Sequence, residues 1–344
     1  MLRGSSRLPL LVSLLLLATA LGAQTPAPSD AGEEVRFRLR TSVDLVLVPV
    51  TVKDSSGNLV TDLRREDFEV LEDEKVQPIK YFSADPFPLS AIILVDEVLS
   101  APAQKSVRES LPVLAGAFSP QDEFALYAYD VYPRQVLDFS SDLDQLRQAF
   151  PRVLRNSPPP PVGVSGGPLS SGPRINSVPV SPGVPNTVPK AGQGQKCLND
   201  ALWAAGMALR ERESGRRRVV FVVSDGDNSR LNVHKFEETR DLLLAQDVTV
   251  YFLAVDNARF KVGTPPLSYY VFATGGDRFS PLTEEGLASA LSRVTEQARY
   301  QYTLVYAARA TTGAREYRRI QVKVRHQGVK VMAREGYFAG LPTQ

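Results

Sequence analysis

Two carboxylates that each end an apolar run are the residues of this 344-residue chain best placed to do chemistry. Asp96 follows Ala91-Ile-Ile-Leu-Val95, and Asp225 follows Arg218-Val-Val-Phe-Val-Val-Ser224. Such continuous apolar runs are typical of parallel strands buried on both faces, and ligands bind at the carboxyl edge of a parallel sheet. Because carboxylates are ligands of hard cations, the sequence predicts a candidate cation site at this edge. The alternative interpretation is that each acid caps the loop or helix that follows its strand.

The elements that must position these acids alternate between strand and helix over residues 85–299. Helical spacing covers 102–117, 198–213 and 287–299, for example, and further apolar strand-like runs lie between the helices. Trp203 and Met207, four residues apart in the second of these helices, are expected to face inward. This alternation predicts an α/β fold, a doubly wound and mostly parallel sheet. Residues 156–195 interrupt it with Pro, Gly and Ser and almost no charge, which predicts a disordered insertion, either simply tolerated or used as a binding loop.

Short alternating strands precede and follow this domain, at 35–84 and at 300–344, and the first segment includes predicted strands over 59–63, 68–72 and 76–83. The first of these segments is about 50 residues long, which is thin for independent folding. We therefore expect the two segments to pack together as a small antiparallel β-sandwich, with the α/β domain inserted between them.

The first 23 residues have the layout of a secretory signal peptide. Arg3 and Arg7 precede an apolar core over 8–17, and small residues follow that core. That core is short for a bilayer span. We expect cleavage after residue 23, a flexible leader over 24–34, and a mature protein that is periplasmic or secreted and has no stable membrane span. The alternative is an uncleaved anchor.

Composition narrows the classes of partner and chemistry. The chain has 40 basic and 38 acidic residues, and loss of Arg3 and Arg7 with the signal peptide leaves 38 of each, so nucleic acid is not an expected partner. Cys197 is the only cysteine, which excludes an intramolecular disulfide and favours a buried thiol. The two histidines, His234 and His326, suggest no catalytic constellation, so we do not expect an enzyme.

Several segments together resemble a known family. The strand that ends at Asp96, Val222-Val-Ser-Asp-Gly-Asp-Asn228 and Ala273-Thr-Gly-Gly-Asp-Arg-Phe279 resemble a von Willebrand factor A domain. With the export signal, Thr61-Asp-Leu-Arg-Arg-Glu-Asp-Phe-Glu-Val-Leu-Glu-Asp73 and Val331-Met-Ala-Arg-Glu-Gly-Tyr-Phe338, the mature chain resembles exported bacterial proteins, best known from acidobacteria, whose A-type domain is flanked by β segments. The resemblance implies a Rossmann-like domain that binds other proteins.

The resemblance also implies a metal-ion-dependent adhesion site, which this chain matches only in part. Asp96 corresponds to the first Asp of its Asp-x-Ser-x-Ser motif, Ser100 to the last Ser, and Asp225 to the Asp of the third loop. Val98 replaces the middle Ser, and Lys196 stands where the second loop has Thr. We expect Lys196 to form an ion cluster with the two acids, so that the site binds no metal or binds Mg²⁺ or Mn²⁺ weakly. Glu97, Asp227 and Asn228 are candidate substitute ligands.

The function expected from these features is an exported, non-enzymatic protein-binding module with a degenerate adhesion site. Its partner is another protein or a component of the cell envelope, and a carboxylate of that partner is expected to meet Lys196 directly. The alternatives are a structural envelope protein with a decayed site and, least favoured, an envelope hydrolase.

Overall fold

The computed structural model describes residues 45–154, 174–175, 178–179, 195–213, 215–259, 266–281, 284–309 and 316–340. The predicted signal peptide and leader, residues 1–23 and 24–34, lie outside this part of the chain, as does most of the predicted insertion over 156–195. Among the described residues, no helix is both long enough and apolar enough to cross a membrane.

The elements are numbered in chain order. The strands are β1 Leu45–Lys53, β2 Phe68–Glu72, β3 Lys75–Gln77, β4 Ile79–Ser83, β5 Leu89–Asp96, β6 Glu123–Tyr129, β7 Pro133–Ser140, β8 Arg174–Ile175, β9 Val178–Pro179, β10 Arg217–Ser224, β11 Val248–Ala254, β12 Arg278–Phe279, β13 Tyr302–Ala307, β14 Glu316–Val324, β15 Lys330–Ala333 and β16 Gly336–Ala339. The α-helices are α1 Ala101–Ala117, α2 Leu143–Ala149, α3 Leu198–Arg210, α4 Phe236–Ala245, α5 Pro266–Thr274 and α6 Glu284–Arg299. Short 3-10 helices cover Arg65–Asp67, Phe150–Arg152 and Asp256–Arg259.

A six-stranded sheet in the order β12-β11-β10-β5-β6-β7 forms the centre of the α/β domain, and only its edge strand β7 runs antiparallel to its neighbour. Every residue of β5 is buried. Ala91 and Ile93 pack in a cluster with residues of α1 and α6, whereas Ile92 and Leu94 pack with α3 and α5 on the other face. The apolar runs are therefore covered on both faces, which confirms the doubly wound α/β fold.

Two antiparallel sheets make the β-sandwich, in the orders β15-β1-β13-β4 and β16-β14-β2-β3. Each combines strands from the two ends of the chain, because β1 pairs with β13 and β15 and β2 pairs with β14. Val48, Val70 and Leu304 are completely buried between them. The predicted sandwich of N-terminal and C-terminal segments is confirmed.

Some local predictions are wrong. Residues 59–63, predicted as a strand, make a single isolated bridge between Leu59 and Lys53. The predicted strand over 76–83 is two strands, β3 and β4, because Pro78 has no N–H to continue a ladder. Strand β7 was not expected. The predicted disordered insertion over 156–195 stays a prediction, because within it only 174–175, 178–179 and 195 are described; β8 and β9 there pair antiparallel.

Candidate functional site at the carboxyl edge of the central sheet

The two predicted acids lie together at the carboxyl edge of neighbouring strands. β5 and β10 are parallel, and their register pairs Val95 with Val223, so Asp96 ends one strand and Asp225 directly follows the other. Asp96 is 0% exposed and Asp225 is 7% exposed. Two carboxylates withdrawn from water at one edge need positive charge or hydrogen-bond donors.

Lys196 supplies that charge. Its Nζ lies 2.9 Å from Oδ2 of Asp96 and 2.6 Å from Oδ2 of Asp225, and the residue is only 6% exposed. Backbone bonds hold the segment that carries it: the Cys197 N–H donates to the Asp130 carbonyl at 2.7 Å, and the Lys196 carbonyl accepts from the Ser229 N–H at 2.7 Å. We call Lys196, Asp96 and Asp225 the ion cluster.

Ser224 and Tyr129 extend the ion cluster into the core. The Ser224 hydroxyl donates to Oδ2 of Asp96 at 2.8 Å and accepts from the Tyr129 hydroxyl at 2.9 Å. Tyr129 ends β6 directly beside Asp96 in the sheet register. Sequence reasoning missed both residues, although each ends an apolar strand, which is the signal that identified Asp96.

Burial and pairing shift the ionisation of the ion cluster in ways that oppose each other. Burial raises the pKa of Asp96, and the neighbouring Lys196 and Ser224 offset only part of that effect. Burial alone would lower the pKa of Lys196, but its attraction to Asp96 and its hydrogen bonds to both acids outweigh burial and raise that pKa. The ammonium therefore stays charged throughout the neutral range.

The other residues mapped onto the adhesion motif have different roles. Val98 has no side-chain oxygen, and its N–H donates to Oδ1 of Asp96 at 2.8 Å. Ser100 is exposed at the N-terminus of α1, and its N–H donates to Asp256 at 2.7 Å. Glu97 forms a 2.8 Å ion pair with Arg134.

These residues do not fit a divalent cation. The Lys196 ammonium lies between Asp96 and Asp225, the two acids that would bind the cation, and its positive charge would repel the cation. Across the described residues, no group of three or more His, Cys, Asp or Glu side chains is arranged to hold a metal ion. The same geometry does not support the expected contact with a partner carboxylate, because the ammonium is buried and already paired twice.

The loop after Asp225 is fixed by a polar network. Asp200 accepts the N–H groups of Val233 and His234 at 2.9 and 2.8 Å, and its Oδ1 lies 2.8 Å from Nδ1 of His234. Asn228, a candidate metal ligand, instead accepts the Leu198 N–H and donates to Asn199. Two apolar side chains nevertheless face solvent on this loop, Leu231 at 44% and Val233 at 82% exposure.

Two further predictions, one about α3 and one about Cys197 just before it, have different outcomes. The expectation that Trp203 and Met207 face inward is wrong for Met207, which is exposed. Trp203 is partly buried, and its ring stacks on His234 with centroids 4.1 Å apart. Cys197 is buried, as expected, and burial raises its pKa to about 11. Its thiol is therefore protonated at neutral pH.

No family model and no curated protein match the chain. Solved structures that match it include proximal thread matrix protein 1 from the mussel byssus, at 14% identity and a TM-score of 0.43 over 66% of this chain and 51% of that one. A von Willebrand factor type A structure from Catenulispora acidiphila matches at 10% identity and a TM-score of 0.43, over 85% of this chain and 73% of that one. An aerotolerance-related membrane protein from Bacteroides fragilis matches at 11% identity and a TM-score of 0.39, over 61% of this chain and 98% of that one.

The chain spans about half the length of the byssus protein that it matches. Another structure of that protein has a zinc-occupied adhesion motif. These likenesses concern the fold alone and carry no information about the ligand or partner of this chain. In fold, the chain is similar to von Willebrand factor A-type structures, as its residues indicated, whereas the exported acidobacterial type stays a prediction.

Proposed function

We propose that the chain is a non-enzymatic protein-binding module whose adhesion-type site uses Lys196 in place of a metal ion. The observation that carries the proposal is the pair of short contacts from the Lys196 ammonium to Asp96 and Asp225. A permanent internal cation makes binding independent of divalent ions. On this proposal, Ser100 and Val98, at the matching motif positions, stabilise the loop through their backbone N–H groups and do not bind a metal.

The surface proposed to meet the partner is the loop that carries Leu231 and Val233. Exposed apolar side chains gain most from burial in an interface when the backbone beneath them is already ordered, because less conformational entropy is lost. Asp200 supplies this order by accepting two N–H groups of the loop. Ser229 connects the loop to the ion cluster through the carbonyl of Lys196.

The proposed partner is a protein or a component of the cell envelope, and the proposed location is the periplasm or the exterior. This part rests on the signal-like layout of residues 1–23. Mass spectrometry of the protein purified from its host tests it, with a mature N-terminus near residue 24 as the expected result. An intact residue 1 on the mature protein would contradict it.

Capture from the native host tests the binding role. The tagged wild type is crosslinked and purified with and without EDTA, in parallel with the loop variant Leu231→Asp/Val233→Asp. The control is Val113→Asp, which changes an exposed residue near the C-terminus of α1. We expect the same partner with and without EDTA, its loss in the loop variant and its retention in the control. Capture that EDTA abolishes would contradict the metal-free site.

A structural role is the second candidate. The ion cluster is buried and joins the ends of β5 and β10 to the segment before α3, which a purely structural site would also do. Equal capture by the loop variant and the wild type, or no specific partner, would favour this role. We expect no turnover of ester, peptide or glycoside substrates, and activity lost in Asp96→Ala would contradict both candidates.

A further inference from the structure

A groove of about 730 Å³ lies where the β-sandwich meets the α/β domain. Its walls come from the end of β1 and the following turn, from the segment around β12, and from the turn before β15. Its floor is one face of α6, where Gly286, Ser289 and Ala290 are small and Arg293 follows on the same face. A volume of this size suits a small-molecule ligand.

Basic side chains dominate the groove. Lys53, Arg278, Arg293 and Lys330 line it with two acids, Asp54 and Asp277, a formal net charge of +2. Lys53 and Asp277 form a buried ion pair at 2.5 Å and neutralise each other. The remaining excess of positive charge belongs to the other three basic residues.

Arg293 and Lys330 are available to a ligand. Arg293 is exposed and donates from Nη2 to the Gly57 carbonyl at 3.2 Å; its other N–H groups have no partner among the described residues. The Lys330 side chain is 66% exposed, and its Nζ is 3.9 Å from Asp277. A guanidinium with free N–H groups is suited to a carboxylate or a phosphate.

A second groove of about 480 Å³ adjoins the first and shares Lys53, Gly57, Phe279 and Arg293 with it. Its lining is mostly uncharged and includes Gln297, which is only 1% exposed. Neither the amide nitrogen nor the amide oxygen of Gln297 has a hydrogen-bond partner in the described part of the chain. A buried amide without partners is costly and indicates a missing polar group.

We propose that the two grooves form one binding site for an acidic oligosaccharide, with a sugar carboxylate beside Arg293 and Lys330 and sugar hydroxyls near Gln297. The second groove offers hydrogen-bond groups of both kinds, a donor and acceptor hydroxyl at Thr61 and a carboxylate at Glu296, and an aromatic ring at Tyr300. A compact polyanion such as a phosphate chain would use the basic groove alone. The site is separate from the ion cluster and does not depend on the proposed function.

Titration calorimetry on the full chain with trigalacturonate tests the site, with maltotriose as the uncharged trimer and tripolyphosphate as the compact anion. We expect trigalacturonate to bind at least tenfold more tightly than either. Arg293→Gln should weaken that binding at least tenfold, whereas Lys105→Gln, which removes an exposed charge outside both grooves, should leave it unchanged.

Gln297→Leu separates the sugar site from a plain anion site. It removes the unpartnered amide, so we expect a higher melting temperature of the free protein together with weaker trigalacturonate binding. Tripolyphosphate binding equal to that of trigalacturonate and unaffected by Gln297→Leu would overturn the proposal, because it would indicate an anion site only. Absence of binding by trigalacturonate would overturn it as well.

Discussion

At the scale of single residues, a lysine ammonium and a divalent cation compensate two carboxylates in different ways, because the ammonium offsets one negative charge and the divalent cation offsets two. Mg²⁺ needs close to six oxygen ligands in octahedral order, whereas a lysine ammonium needs three acceptors and is already covalently attached. Lys196 finds two of these acceptors on Asp96 and Asp225. The chain therefore holds two strand-end acids together with one built-in positive charge, which offsets one of their two negative charges.

Lys196→Met should destabilise the protein by about 3 kcal/mol, because it leaves two buried carboxylates without their cation. Urea unfolding measures this change in the free energy of unfolding. Lys105→Met is the matched control, since Lys105 is exposed, and its effect should stay within about 0.5 kcal/mol. A Lys196→Met effect as small as that of the control would show that the ion cluster contributes little stability.

The loss caused by Lys196→Met should depend on pH. The pKa of Lys196 is raised above its usual value of 10.5, so its stabilisation is complete below pH 10.5 and is lost as the pH rises through the raised value. The difference between wild type and variant should therefore be constant from neutral pH to about pH 9 and shrink above pH 10.5. Toward low pH it should also shrink, because burial raises the pKa of Asp96 and a protonated Asp96 needs no cation.

Denaturant midpoints measured across this pH range test the dependence. A difference that stays constant above pH 10.5 would contradict the assignment of the charge to Lys196.

The acids could be predicted from the sequence because continuous apolar runs identify buried strands and each acid ends one. The contact of Lys196 with both acids could be predicted only from the family resemblance, which places Lys196 at the Thr position of the second loop. Ser224 and Tyr129 carry the same strand-end signal, but their contact with Asp96 could not be predicted, because it depends on the register of β6, β5 and β10, which no local pattern encodes.

At the scale of elements, the turn after α5 determines how closely that helix approaches its neighbours. Gly275 has a φ of +76°, and a Cβ there would lie 2.5 Å from the backbone of Ala333 and Arg334 on the sandwich side. A Cβ on Gly276 would lie 1.9 Å from the Val250 carbonyl of β11. The turn needs glycine at both positions, because backbone atoms occupy the space of any side chain.

Gly276→Ala should destabilise the protein by about 3 kcal/mol or more, since a backbone carbonyl cannot yield to a methyl group. Gly116→Ala, in α1 with open space around its Cα, should instead stabilise it by about 0.5–1 kcal/mol through helix propensity. Thermal unfolding of the two variants measures both effects. The same sign for both would contradict this account of the turn.

Element prediction succeeded for the buried central strands and for the alternating strand β14, and it failed for the edge strand β7. The strands β5 and β10 could be recognised because nearly every position is apolar. Strand β7 could not, since it is an edge strand that begins at Pro133, and its apolar residues Val136, Leu137 and Phe139 do not alternate with polar ones. Edge strands pair through the backbone, and sequence patterns report side chains only.

At the scale of the whole molecule, strands from the two ends of the chain complete one sandwich, and buried polar groups connect it to the α/β domain. Arg334, which is 6% exposed, donates to the carbonyl of Gly336 within the sandwich and to that of Leu244 in α4 at 2.7 Å. It also pairs with Asp247, beyond α4. The alternating strands at both ends predicted the sandwich, but this connection depends on the final docking and could not be predicted.

Arg334→Met should lower the free energy of unfolding by about 3 kcal/mol, because the carbonyl and carboxylate partners of the guanidinium would be left buried or unpaired. Arg147→Met, which removes a half-exposed i,i+3 ion pair, is the control and should change stability by less than about 0.5 kcal/mol. Far-ultraviolet circular dichroism and the fluorescence of Trp203, the only tryptophan, report on unfolding. Equal midpoints for the Arg334 variant and the wild type would contradict the connection.

Whether Lys196 takes the place of a metal ion is tested by titration calorimetry of Mn²⁺ into the purified wild type and into Val98→Ser/Lys196→Thr, which restores the oxygen ligands expected from the adhesion motif. We expect no micromolar binding by the wild type and micromolar binding by the double variant. Micromolar binding by the wild type that Asp96→Ala abolishes would contradict the claim that Lys196 replaces the metal.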